Sequence, residues 1–166
     1  MKYLTIIRHA KSSWSTPDLD DILRPLNERG LKSIKIIGNY LKKKNIQPDL
    51  IITSPATRAV QTAVGIGDLV NYKIDSLKIN QEIYFGNTTD ILAIIKNIDA
   101  TVNDIFLFGH EPILSLLIYH FTKTSLEKFP TCAVYRIAFD IKSWKETDLK
   151  IGKCEFYVNP KLLIEK

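Results

Sequence analysis

Apolar residues fall along this chain in two alternating rhythms. Short continuous runs come first: Lys2–Arg8 carries Tyr3, Leu4, Ile6 and Ile7, and Asp49-Leu50-Ile51-Ile52-Thr53 and Ile105-Phe106-Leu107-Phe108 repeat the type. Runs of this length and β-branched or aromatic content read as buried strands. Between them the spacing turns helical. Residues 27–44 place Leu31, Ile34, Ile37 and Leu41 on one face, with Asn27 as the cap. Ser54-Pro55 opens a second helix, Ser54 as N-cap and Pro55 in the first turn, running to Val70. Thr88–Ile98 and Pro112–Phe121 are two more helices, and Lys78–Asn80 carries a faint strand signal. Val134–Phe139 and Cys154–Val158 close the chain as an antiparallel strand pair joined by a polar loop around Ser143–Lys150.

Strands alternating with helices predict an α/β fold, a mostly parallel sheet with helices on both faces. In such sheets ligands bind beyond the carboxyl ends of the strands, which fixes where to look before any motif is consulted. The 166 residues suit a single domain spanning 1–166, and no internal repeat, low-complexity tract or linker divides them.

Composition narrows the class only slightly. With 45% apolar and 25% charged residues the chain reads as globular. No apolar run approaches the ~20 residues that cross a bilayer, so no membrane partner is expected. The N-terminal run lacks a signal-peptide core and cleavage site, and the reading is cytoplasmic. The net charge of +5 raises the question of nucleic acid, but the lysines are scattered along helix faces and the tail, so a nucleic-acid partner is not expected. Cys132 and Cys154 read as free buried thiols; Arg136 follows Cys132 too closely for the Cys-x5-Arg loop of cysteine phosphatases.

The chemistry sits at the predicted strand ends. The first strand ends Ile7-Arg8-His9, the second Thr53-Ser54 with Arg58 in the helix turn that follows, and the third Phe108-Gly109-His110. Two arginines and two of the three histidines therefore share one sheet edge. Guanidinium forks match phosphate oxygens in two-point contact, and a helix N-terminus favours an anion. Histidine can act as nucleophile, base or donor near neutral pH. This describes a phosphate pocket built from cations. No His-x-His, Cys-x-x-Cys or carboxylate cluster at a strand end suggests a metal, and no cofactor is called for.

Each residue also has a plainer reading. A lone histidine is more often structural than reactive; Arg8 beside it and His110 on a neighbouring strand reverse that for His9. His120, among Leu116, Leu117, Ile118 and Phe121, stays structural. Arg24 either reaches the pocket or shapes the turn before Pro25. Lys11 and Ser12 follow the nucleophile and line its entrance, Ser12 as a binding candidate. Glu111 reads as exposed loop charge, Gly65-Ile66-Gly67 as helix rather than nucleotide loop, and Asp18-Leu19-Asp20-Asp21 as loop, since no apolar strand precedes it.

Four segments in order resemble the histidine phosphatase, or phosphoglycerate mutase-like, superfamily. They are Arg8-His9-Ala10-Lys11-Ser12, Arg24-Pro25-Leu26-Asn27-Glu28-Arg29-Gly30, Ser54-Pro55-Ala56-Thr57-Arg58-Ala59-Val60-Gln61-Thr62 and Gly109-His110-Glu111-Pro112. The resemblance covers roughly residues 2–120 and is to the short SixA-like phosphohistidine phosphatases. Ala10 stands where the family usually has glycine. The resemblance implies that His9 is a covalent nucleophile, that Arg8, Arg58 and His110 hold the phosphoryl oxygens, and that no metal takes part. Many relatives also use an acid to protonate the leaving group, and the positional candidate is Glu82. The implied activity is a phosphatase acting on a phosphorylated substrate, foremost a phosphohistidine on a protein. The alternatives are a small-molecule phosphomonoesterase of the same superfamily and, behind it, a non-catalytic phosphate-binding protein.

Overall fold

A computed structural model describes residues 1–148 and 151–165. Six strands form one sheet: β1 (Lys2–Arg8), β2 (Leu50–Thr53), β3 (Lys78–Ile79), β4 (Asp104–Gly109), β5 (Val134–Phe139) and β6 (Lys153–Val158), in the order β3-β2-β4-β1-β5-β6. The first four in that order run parallel; on the β1 side β5 pairs antiparallel with β1, and β6 pairs antiparallel with β5. The anticipated mostly parallel sheet and its antiparallel closing pair are therefore both present. Residues 149 and 150 of the anticipated polar loop lie outside the described residues; a one-turn 3-10 segment, Trp144–Asp148, occupies the part before them.

Among the described residues six helices flank the sheet: α1 (Glu28–Lys43), α2 (Thr57–Leu69), α3 (Glu82–Phe85), α4 (Thr88–Lys96), α5 (Ile113–Thr122) and α6 (Pro160–Ile164). The continuous apolar strands follow from this layering, because both faces of a covered strand are buried. On one face Leu4, Ile6, Ile105 and Leu107 pack against Ile91 and Ile95 of α4 and Leu114, Leu117 and Ile118 of α5. On the other, Ile7, Ile51, Phe106 and Phe108 pack against Ile34, Ile37 and Leu41 of α1 and Ala63 and Ile66 of α2.

Two expectations need correction here. Leu31 is 54% exposed; the buried row of α1 begins at Gly30 and continues through Ile34, Ile37 and Leu41. Glycine holds that first place because a Cβ on Gly30 would stand 2.3 Å from the Lys11 carbonyl oxygen. Helix α1 thus lies directly against the loop that follows His9, and the Asn27 N–H donates to the same carbonyl at 3.0 Å. Asn27 does cap α1, its side chain accepting from Gly30 N–H at 2.9 Å. Ser54, by contrast, does not cap α2, whose N-cap is Ala56. Pro55 and Ala56 extend the turn beyond the strand, so the Ser54 hydroxyl stays at the sheet edge, where it accepts the Ala56 N–H.

The register of the parallel strands brings the chemistry together. Arg8 stands opposite Gly109 and Thr53 opposite Phe108. His9 N–H donates to Gly109 carbonyl and Ser54 N–H to Phe108 carbonyl, both at 3.1 Å. Three strands therefore end level with one another, at His9, Ser54 and His110.

Candidate active site

A cleft of about 270 Å³ opens at this edge, lined among others by Arg8, His9, Ser12, Trp14, Arg24, Arg58, His110 and Thr131. At its floor His9 is 8% exposed. Its Nδ1 lies 2.8 Å from the Ala10 carbonyl oxygen, which can only accept, so Nδ1 carries the proton and Nε2 keeps its lone pair. Ala10 is fully buried with an ordinary negative φ, so alanine fits where the family usually has glycine. Its N–H donates to Thr62 Oγ1 at 3.0 Å, tying the His9 turn to α2.

The His110 ring centroid lies 5.0 Å from that of His9. His110 Nε2 shares a 2.7 Å hydrogen bond with Ser54 Oγ, which replaces the capping role expected of that serine. Burial, with cationic neighbours adding to it, lowers the His9 pKa to about 4. Burial and the His9 ring lower that of His110 to about 3. Both rings are neutral at pH 7.

Three guanidiniums surround the pair. Arg8 donates through Nη1 to the Phe129 carbonyl at 2.8 Å. Its buried Nε has no hydrogen-bond partner among the described residues. A buried donor left unpaired is rare. Burial lowers the Arg8 pKa, with Glu111 opposing that shift. Arg58 and Arg24 are only 6% and 7% exposed. They share one carboxylate: Asp21 accepts from Arg58 Nη2 and from Arg24 Nη1, each at 2.9 Å. Arg58 Nη1 also donates to the Asp21 carbonyl at 2.6 Å. Arg24 Nη2 donates to Ser12 Oγ at 2.6 Å, and the guanidinium lies 3.2 Å from the Trp14 ring centroid. One carboxylate between two buried cations leaves the cleft with positive charge to spare, and a phosphate dianion can balance it.

The structure thus brings His9, Arg8, Arg58, His110, Arg24 and Ser12 to one cleft and leaves Glu82 out of it. Glu82 starts the four-residue helix α3. In that turn Ile83 is buried against the Gly109 backbone and Tyr84 faces the His110 ring at 5.4 Å. Successive helical side chains diverge by about 100°, so Glu82 is turned away and its carboxylate lies by Gly86 and Asp90. Glu111 is not a free loop charge either, since its carboxylate accepts from the Ser115 N–H and hydroxyl. Cys132 is buried as expected, but Cys154, on edge strand β6, is exposed.

Asp21 was read from sequence as loop and is instead the hub of the cleft wall. Besides the two arginines it accepts from Tyr84 Oη at 2.7 Å. The Tyr84, Arg24 and Arg58 hydrogen bonds outweigh the desolvation penalty and hold its pKa far below the usual carboxylate range. Thr62 and Gln61 were likewise unassigned; Gln61 Oε1 accepts the Leu26 N–H at 2.8 Å. A carboxylate three residues before Arg24 was the available signal for Asp21, and its acidic neighbours Asp18 and Asp20 on the same loop masked it.

Fold and cleft together define an α/β protein with a cationic anion site built around a neutral histidine pair. The sequence profile of the histidine phosphatase superfamily (branch 1) matches residues 4–97. The Mycobacterium tuberculosis protein Rv1276c is 31% identical over 146 residues, 80% of this chain and 87% of its own length. The phosphohistidine phosphatase SixA of Escherichia coli is 23% identical over 114 residues, 68% and 70% of the two chains. A structure of the protein histidine phosphatase SixA complexed with tungstate superposes with a TM-score of 0.84 at 21% identity, covering 97% of this chain and 99% of that one. The chain belongs to the histidine phosphatase superfamily and is a phosphatase of that type, with the phosphoglycerate mutase-like fold.

Proposed function

We propose that the chain removes the phosphoryl group from a phosphohistidine carried on a protein, through a covalent intermediate on His9. The single observation that carries the mechanism is the tautomer of His9. With Nδ1–H bound to the Ala10 carbonyl, Nε2 is the free lone pair, unprotonated at neutral pH and ringed by guanidiniums. Nε2 attacks phosphorus in line, forming a phosphorus–nitrogen bond as the bond to the substrate imidazole breaks. The departing imidazole takes up a proton from solvent water. Water then attacks the phosphorylated His9, the new bond breaks, and inorganic phosphate and neutral His9 are regenerated. Arg8, Arg58 and His110 hold the equatorial oxygens as charge spreads over them, which is the main protein contribution to phosphoryl transfer. Arg24 and Ser12 support this set from the cleft wall.

Three structural features support a protein phosphohistidine over a small phosphate ester. The cleft, at about 270 Å³, falls just below the range of about 300–1,000 Å³ usual for pockets that enclose small molecules. Beside it two large apolar side chains stand exposed, Trp14 at 73% on the cleft wall and Phe85 at 68% next to Tyr84, as suits contact with a protein surface presenting one protruding side chain. With Glu82 outside the cleft, a substrate whose phosphorus–nitrogen bond breaks with little acid assistance also fits better. SixA of Escherichia coli, a phosphohistidine phosphatase by name, agrees with this reading.

The test is a hydrolysis screen of phosphohistidine peptides, sugar phosphates and nucleotides, with acid-labile phosphate trapped on the enzyme and mapped. Phosphohistidine is expected to give the highest kcat/KM, the trapped phosphate to map to His9, and His9→Ala to lose activity by several orders of magnitude with the fold intact. Near-normal turnover of His9→Ala would end the mechanism. A sugar phosphate cleaved faster than every phosphohistidine peptide would end the substrate assignment alone.

A further inference from the structure

Beside the cleft lies a second, larger concavity of about 500 Å³, between the N-terminal half of α1, the loop before β5 and helix α6. Its floor is apolar, with Ile36 and Pro130, and the exposed Ile164, Arg29 and Lys32 stand on its rim. Both cations are exposed and form no ion pair among the described residues. The one acid lining the groove, Glu165, sits 3.7 Å from Lys161. The groove therefore offers apolar contact under a positive rim.

Its position makes it more than a surface hollow. Thr131 lines both the groove and the His9 cleft. The loop that carries it is fastened to the reacting strand: Phe129 carbonyl accepts from Arg8 Nη1, and Cys132 N–H donates to the Arg8 and His9 carbonyls at 3.2 and 3.1 Å. One short loop is thus the wall of both concavities, and a polypeptide with its phosphohistidine in the cleft can continue directly into the groove.

We propose that this groove docks the segment of the phosphorylated protein that flanks the phosphohistidine, and that it selects a segment with an apolar side chain among carboxylates. The inference rests on the phosphohistidine-protein reading above. The apolar floor takes the side chain, and Arg29 and Lys32 select and steer the acidic flank. The groove touches none of the groups that carry the chemistry, so it contributes to KM rather than to the chemical step.

The test compares phosphorylated free histidine with phosphohistidine peptides that share one leucine and carry acidic, neutral or basic flanks. Wild type is expected to prefer the acidic peptide, with a preference that fades as salt rises. The double variant Arg29→Glu, Lys32→Glu should lose about tenfold in kcat/KM on that peptide, mainly through KM. It should gain on the basic peptide and keep the wild-type rate on free phosphohistidine. Ile164→Glu should weaken binding of all three peptides and leave free phosphohistidine untouched. If wild type cleaves the three peptides alike and the variants change nothing, while free phosphohistidine is still hydrolysed, the docking proposal fails and the phosphatase reading stands. If no phosphohistidine compound is hydrolysed and phosphate esters are, both fail. A dimer detected by sedimentation and abolished by Ile164→Glu would assign the groove to a second copy of the chain and overturn the proposal.

Discussion

The neutrality of His9 has a price in acid, and its size follows from the site. The ring is buried and guanidiniums surround it, which together outweigh the opposing hydrogen bond from Nδ1 to a backbone carbonyl, so its pKa falls from 6.5 to about 4. In the unfolded chain it titrates at its ordinary value. Between those two values the unfolded state binds a proton that the folded state does not, so folding stability falls as pH falls. The contribution is complete above about pH 6.5 and is lost progressively down to about pH 4. A displacement of some 2.5 pKa units at about 1.36 kcal/mol each, less the partial protonation of the folded form at the lower limit, gives about 3 kcal/mol between pH 7 and pH 4. His9→Asn, which cannot gain a proton, should lack this contribution. Urea denaturation of both proteins across that range should therefore show wild type losing about 3 kcal/mol more than the variant. Direct titration of the His9 ring by NMR, assigned through the same variant among only three histidines, should give a midpoint well below 6.5. A ring titrating near 6.5, with parallel stability profiles for the two proteins, would refute the account of burial and charge at this residue.

Arg58→Ala should weaken competitive inhibition by tungstate or vanadate and lower turnover on the order of 100-fold, the usual cost of one fixed donor on a developing oxyanion; unchanged inhibition would make Arg58 a structural partner of Asp21 only. Gly30→Ala should lower activity more than its helical position suggests, because the new methyl meets the Lys11 carbonyl oxygen at 2.3 Å and must displace the loop behind His9. Wild-type turnover by that variant would show that the loop can shift freely. Glu82→Gln should leave phosphohistidine hydrolysis within about twofold of wild type, since its carboxylate lies outside the cleft; a large loss would mean that α3 turns when substrate binds. EDTA dialysis should leave the rate unchanged, because guanidiniums and His110 stand where a metal would otherwise balance the phosphoryl charge, and a loss restored by Mg²⁺ or Zn²⁺ would refute that assignment.

The sheet and its edge were legible for a physical reason. Strands covered on both faces cannot afford polar interruptions, so Ile6-Ile7-Arg8-His9 announces both the strand and the point where it leaves the core. The same holds for Phe108-Gly109-His110. What was not legible is whatever depends on fewer than about two turns of backbone or on a distant partner. Helix α6, five residues capped by Asn159, is too short to show a period. Helix α3 is a single turn, and in a single turn the choice among residues 82, 83 and 84 decides everything. A family position pointed to the carboxylate at 82; packing put Ile83 under Gly109, which gave the cleft side to Tyr84.

Ser54 and Asp21 mark the limit of local reasoning more sharply. Ser54 before Pro55 has the local chemistry of an N-cap, and nothing nearby contradicts it. Its actual partner, His110, is 56 residues away and arrives only through the register of β2 and β4. Asp21 lies in a run of acids that reads as solvated loop, yet Arg58 and Tyr84 reach it across separations of 37 and 63 residues. Both residues do for the cleft what its chemistry requires beyond the motifs. Ser54 fixes the ring of the second histidine, and Asp21 holds two buried guanidiniums in place without cancelling their combined charge. A phosphate site made of cations needs some such counter-charge to be stable when empty. The sequence motifs name the groups that would meet phosphate; the residues that let those groups coexist belong to no motif, because any acid that folds to that point would serve.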